Sequence, residues 1–286
     1  MTGIDGWGVS GVSFNLQSTP ITLIKLKLEK GEQKKFFKAG GEWCYIWTPK
    51  GFDPAKPAPV VIHHHGAGGY VREKEADWLD VGTKAAYLRA VMADSGAVIA
   101  GTHACGNHWG NRCAVEANAA LIAALDEVEG LDTDRLGFMG GGLGGAVIWN
   151  NILGPFAGRV KAVAVLQAVA NLSAVIREQK FKDVCLEAYG VPKDTGDDEA
   201  IKLIIDQDPM PRLKKLKKGT KLPRTVIYQG AKDVNIPADT NAIPLAAALK
   251  KAGADVTLEL FDEVEHNTYA MGKPMEDRLR RFFSTL

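Results

Sequence analysis

Residues 136–146 read Leu-Gly-Phe-Met-Gly-Gly-Gly-Leu-Gly-Gly-Ala. The apolar run Leu136 to Met139 predicts a short buried strand. The helix-like run Leu143 to Leu153 follows after a glycine-dense turn. A strand feeding a helix through so tight a turn is one half of a strand–helix–strand unit. The rest of the chain repeats that unit.

Upstream, Val60–His63 and Ala97–Gly101 are short continuous apolar runs. Downstream come Val160–Val165, Thr225–Tyr228 and Val256–Phe261. Helical patterns separate them at about 80–94, 112–129, 143–154, 238–252 and 274–284. Apolar strands alternating with helices predict an α/β fold, a mostly parallel sheet with helices on both faces. Ile21–Leu28 alternates apolar and polar residues, and Gly41–Thr48 is aromatic-rich. Both read as antiparallel edge strands, with Pro54, Pro57 and Pro59 marking the loop beyond them.

One stretch breaks the rhythm. Asn171 to Pro223 is too long for an ordinary crossover and carries helical patches. It is expected to be an inserted helical lid at about 171–223, over the carboxyl edge of the sheet. Its basic run from Arg212 to Lys221 reads as a solvated helix end before the next strand. With residues 1–20 as an N-terminal arm, the expectation is one domain over 1–286.

Bulk composition excludes several function classes. The chain has 35 basic and 34 acidic residues, so no net field draws it to nucleic acid or to a charged membrane surface. No run of about 18 apolar residues predicts a membrane span. No signal peptide is visible, which leaves a cytoplasmic location as the default expectation. Four cysteines are too few for a disulfide scaffold in 286 residues. Reduced thiols are expected, with a Cys105–Cys113 bridge as the alternative.

In open parallel sheets ligands bind at the carboxyl ends of the strands. Four such ends carry suggestive residues: His65-Gly66-Ala67-Gly68-Gly69, the turn Gly140–Gly145, Asp233 in Gln229–Pro237, and His266 in Glu263–Thr268. On these residues, taken in this order, the chain over about 40–286 resembles the α/β-hydrolases. Their nucleophile sits on a sharp strand-to-helix turn of pattern G-x-S-x-G, followed in sequence by an acid and a histidine.

The resemblance implies that His266 is a general base, that Asp233 orients it, and that the N–H groups of Ala67 and Leu143 form an oxyanion hole. His65, Gly66 and Trp109 join the substrate-binding surface. The implied ligand is a small carboxylic ester or acyl group, and no cofactor is implied. The serine position, however, is Gly142, which has nothing with which to attack. Three accounts stay open: a bench substitution, a natural non-catalytic relative that binds a ligand or a protein assembly, or chemistry by another group. For the third, His103, Cys105, His108 and Cys113 are metal-type ligands, but their spacing matches no usual zinc site. That loop, with Asn111 capping the next helix, is expected to line the substrate mouth without metal. His63 and His64 are read as strand residues, one turned into the core onto a backbone partner.

Overall fold

Val60 and Ile62 point to one face of their strand and Val61 to the other, and all three are fully buried. The same holds for Phe138 against Met139, and for Val163 and Val165 against Ala164. Strands apolar on both sides must be covered on both sides. The computed structural model, which describes residues 26–286, arranges them accordingly.

The strands are β1 (Lys34–Ala39), β2 (Glu42–Trp47), β3 (Ala58–His64), β4 (Val98–Thr102), β5 (Leu131–Gly142), β6 (Val160–Ala168), β7 (Arg224–Gly230) and β8 (Val256–Phe261). They form an eight-stranded sheet in the order β1-β2-β4-β3-β5-β6-β7-β8. Only the β1–β2 and β2–β4 pairings are antiparallel. The central position of β5 puts its carboxyl end, the glycine turn, in the middle of one sheet edge.

The helices are α1 (Asp77–Asp80), α2 (Gly82–Ser95), α3 (Arg112–Asp126), α4 (Gly144–Ile152), α5 (Leu172–Arg177), α6 (Lys182–Ala188), α7 (Asp197–Ile204), α8 (Pro209–Lys214), α9 (Ala242–Ala252) and α10 (Lys273–Phe283). One core layer joins the sheet to α3, α4, α8 and α9 through Leu121, Ile148, Leu213 and Leu249. The opposite layer joins it to α1, α2 and α10 through Trp78, Leu88, Leu279 and Phe283. A smaller cluster gathers α5, α6 and α7 around Leu172, Ile176, Leu186 and Ile204. It packs on Trp109, Leu143 and Ile236 at the carboxyl edge of the sheet.

Several expectations change. The expected strand Ile21–Leu28 falls largely outside the described residues, as does the arm at 1–20, and Leu26–Leu28 are not in a strand. The edge strand beside β2 is instead Lys34–Ala39. It joins β2 through Gly40 and Gly41, both at positive φ (60° and 89°), a turn that glycine enters without steric cost. Arg212 is not a solvated helix end, since its guanidinium donates to Asn150 Oδ1 at 2.7 Å and to the Leu153 carbonyl at 2.8 Å. Within 171–223, α8 belongs to the main core layer, and only α5–α7 form the separate cluster. Cys105 and Cys113 are joined in a disulfide, which corrects the reduced-thiol expectation for that pair. Cys44 and Cys185 are buried and free.

Candidate active site

The end of β5 and the start of α4 hold five glycines, and their surroundings differ. A Cβ on Gly140 would lie 2.6 Å from the His64 carbonyl oxygen, and one on Gly141 would lie 2.7 Å from that of Leu166. On Gly144 it would lie 2.5 Å from the His64 oxygen, and on Gly145 2.6 Å from the Val169 oxygen. These four are glycine because neighbouring backbone occupies the side-chain position. Gly142 is the exception. Its Cβ direction meets only Gly66 Cα at 3.6 Å and Ala67 N at 4.0 Å, ordinary contact distances. Its φ is +52°, the left-handed conformation that costs an L-residue of order 1–3 kcal/mol. A side chain at 142 would sit under strain, in an open direction facing the Ala67 amide.

Two backbone N–H groups lie near this point, that of Leu143 next in the chain and that of Ala67, whose nitrogen is 4.0 Å from the Cβ direction. Leu143 is the N-cap of α4, so its amide precedes the helical hydrogen bonds. Ala67 lies in the loop after β3. Neither amide donates to a backbone acceptor among the described residues. The positive end of the α4 dipole adds to the preference for negative charge here.

The loop bearing Ala67 is held from below. His65 is buried, with Nδ1 2.8 Å from the Gly66 carbonyl and Nε2 2.8 Å from the His103 carbonyl. The Gly68 amide donates to Asn107 Oδ1 at 2.8 Å. His65 therefore anchors the loop. Asn107, which the sequence reading did not single out, ties that loop to the disulfide-closed segment Cys105–Cys113. Asn111 caps α3, its Oδ1 accepting from the Ala114 amide at 3.1 Å. Trp109 is only 4% exposed, packed in one cluster with Leu143 and against Phe181.

On the other side of the turn, Asp233 and His266 meet. Asp233 Oδ2 lies 2.8 Å from His266 Nδ1. The Asp233 side chain is fully buried, while that of His266 is one-third exposed. Burial pushes the Asp233 carboxyl up. Hydrogen bonds from His266 and from the Ile236 and Asn235 amides outweigh it and hold the group below the usual carboxylate range. An ionised Asp233 fixes the tautomer, with the proton on Nδ1 and Nε2 left as an acceptor. Among the described residues the imidazole bonds Asp233 alone.

Two glutamines to which the sequence assigns no role complete this side. Gln229 Nε2 donates to Asp233 Oδ2 at 3.1 Å and to the Ile236 carbonyl at 3.0 Å. Gln167, near the end of β6, is a non-glycine residue at φ +48°. Its Nε2 donates to Asp233 Oδ2 at 3.2 Å and to the Glu265 carbonyl, and its Oε1 accepts from the Thr268 amide at 2.8 Å. Gln167 thus grips both the acid and the loop that carries His266. The next residue, Ala168, pairs with Gly142 across β5 and β6, and the Val169 amide donates to the Gly142 carbonyl at 2.8 Å. That chain of contacts connects Gly142 to the Asp233–His266 pair.

His63 and His64 do not have the backbone partner expected of one of them. His64 has neither ring nitrogen hydrogen-bonded, and His63 lacks a partner at Nε2. Among the described residues no group of three or more His, Cys, Asp or Glu is placed to hold a metal ion, and no helix is long and apolar enough to cross a membrane.

The fold has many solved counterparts. The chain is similar to a puromycin-hydrolyzing peptidase of Mycobacterium tuberculosis, with a TM-score of 0.64, 16% identity, and coverage of 86% of this chain and 38% of that one. An acylaminoacyl peptidase of Pyrococcus horikoshii gives a TM-score of 0.61 at 16% identity, covering 88% of this chain and 41% of that one. Oligopeptidase B of Leishmania major gives 0.64 at 13% identity, covering 89% and 37%. The chain thus spans about two fifths of the length of these structures, and at such identities they establish the α/β-hydrolase fold. No curated protein matches the sequence. The prolyl oligopeptidase family matches residues 101–284, from β4 through α10, and the chain belongs to that family.

Proposed function

We propose that the carboxyl edge of the sheet is an acyl-transfer site whose nucleophile position is Gly142. In this reading His266 is the general base and Asp233 holds its tautomer and stabilises the imidazolium. The Ala67 and Leu143 amides receive the oxyanion. Membership of a peptidase family moves the expected substrate from a carboxylic ester toward a peptide-type acyl group, with esters as convenient probes. The helices α5–α7 act as the lid. The observation that carries the reading is the open Cβ direction at Gly142, in left-handed backbone beside the Ala67 amide, on the sheet edge that also carries the Asp233–His266 pair.

Without a hydroxyl at 142 the chain forms no acyl-enzyme. Loss of the serine in a comparable site costs roughly 10⁶ in turnover. Gly142→Ser is therefore expected to label with a fluorophosphonate and to release p-nitrophenol from p-nitrophenyl acetate in a burst. Adding His266→Ala is expected to abolish both. A second reading, a non-catalytic binding protein on the same frame, is favoured by one feature: glycine relieves the strain at φ +52°. A Gly142→Ser protein that is folded yet inert toward both reagents decides for that second reading.

A further inference from the structure

Resting on the acyl-transfer reading, we propose that Gly142 turns the site into a seat for a small exogenous nucleophile, so that the chain passes acyl groups directly to water or to a one-carbon alcohol without a covalent intermediate. Methanol supplies the two heavy atoms, one carbon and one hydroxyl, that a serine has beyond glycine. The direction in which that carbon would lie is open at Gly142 and blocked at Gly140, Gly141, Gly144 and Gly145. Gly142 is itself partly exposed, so the seat is reachable from solvent. The groups that would serve a serine hydroxyl are the same ones that serve a bound hydroxyl. Nε2 of His266 is unpaired while Nδ1 is held by a buried carboxylate, and the Ala67 and Leu143 amides are unspent.

The reaction balances without any further reagent. The alcohol oxygen attacks the acyl carbon and forms the new C–O bond, while its proton passes to His266 Nε2. The carbonyl oxygen becomes the oxyanion and is held by the two amides. Collapse of the tetrahedral species breaks the bond to the leaving alkoxide, which takes the proton back from His266. An acyl ester and methanol give the methyl ester and the free alcohol, and with water they give the carboxylic acid and the alcohol. A general base in this role contributes about 10²–10⁴-fold.

The test uses the chain as it stands with p-nitrophenyl acetate and rising methanol, following p-nitrophenol release and methyl acetate formation together. The expected result is saturable turnover without a burst, with methyl acetate rising at the expense of acetate. His266→Gln should lower the rate by about 10²-fold. Gly142→Ala should remove the methanol branch, because its methyl group occupies the alcohol's carbon position. Methyl acetate formation that survives either substitution overturns the proposal. If Gly142→Ser labels with fluorophosphonate while the parent chain shows no His266-dependent turnover, the direct transfer is wrong and the acyl-transfer reading stands. If Gly142→Ser is also inert, both fail.

Discussion

The six histidines of this chain divide between two sides of one turn. Five of them, His63, His64, His65, His103 and His108, lie on or beside β3 and β4, beneath the loop that carries Ala67. Their rings meet one another and aromatic neighbours: His65 edge-on to His108 at 5.3 Å, His63 tilted against Trp78 at 4.0 Å, and His64 edge-on to Phe138 at 4.8 Å. Among the described residues none of the five forms an ion pair, and burial holds His63, His64, His103 and His108 below the usual imidazole range. On the other side stands His266 alone, one-third exposed, with a buried carboxylate on Nδ1. One residue type fills two different roles, and the partner decides which. A histidine without a carboxylate packs against its neighbours or ties down a loop, as His65 does. A histidine with one, open on its far nitrogen, is equipped for proton transfer.

The sharpest way to break that contrast is to take the carboxylate away. In the Gly142→Ser background, Asp233→Asn is expected to lower p-nitrophenyl acetate turnover by about 10⁴-fold, the cost when the orienting acid of such a triad becomes an amide. His103→Gln in the same background should leave turnover of the same order, because the hydrogen bond between His65 and His103 is made by the backbone carbonyl of His103. Equal losses from the two substitutions would dissolve the distinction between the two sides.

The next effect is on stability and comes from the buried side. Burial lowers His64 to about 3, whereas an unfolded histidine titrates near 6.5. The folded ring stays neutral where the unfolded one accepts a proton. This contribution is complete above about pH 6.5 and is lost as the pH falls from there toward 3. Urea unfolding should show stability dropping by a few kcal/mol across that window. His64→Phe should reduce the slope, since both of its ring nitrogens lack partners and no acceptor is left behind. An unchanged slope would move the acid sensitivity to other groups. The carboxylate side titrates lower: Asp233 is held below its usual range, so its share is lost only in stronger acid.

Much of this was legible in the sequence because the central strands are unambiguous. Val60–His63, Leu136–Met139 and Val160–Val165 are apolar on both faces, and each runs into glycine or polar residues at the carboxyl end, where sites in parallel sheets form. The strands run longer than expected, β5 to Gly142 and β6 to Ala168, because pairing between them continues through the glycines. Strand β1 was not legible. Lys-Lys-Phe-Phe-Lys-Ala places two aromatics side by side and breaks the two-residue alternation that marks an edge strand. The Cys105–Cys113 link runs against the reduced-thiol expectation, because four cysteines in 286 residues carry no pattern of a disulfide framework. Gln167 was invisible for a different reason. A glutamine ending an apolar strand carries no pattern, and its importance lies in groups 66 and 98–101 residues away in sequence.

Gln167 also gives the smallest and most local test of the comparison. His64, with neither ring nitrogen bonded, is held by packing, whereas His266 sits on a loop without strand or helix structure, so its position depends on polar ties. Gln167 supplies two of them, at the Glu265 carbonyl and the Thr268 amide on either side of His266, and a third at Asp233 itself. Gln167→Leu keeps a side chain of similar length but removes all three, leaving a buried amide and a carbonyl without partners at a cost of about 1–3 kcal/mol. Gln167→Glu restores an acceptor for Thr268 but sets a second carboxylate against Asp233. Both variants should speed hydrogen exchange of the Thr268 amide while amides of β3 and β4 keep their protection. Exchange that rises equally at β3 and β4 would make Gln167 a general core residue. Exchange confined to the 265–268 loop would make it the residue that holds His266 in place.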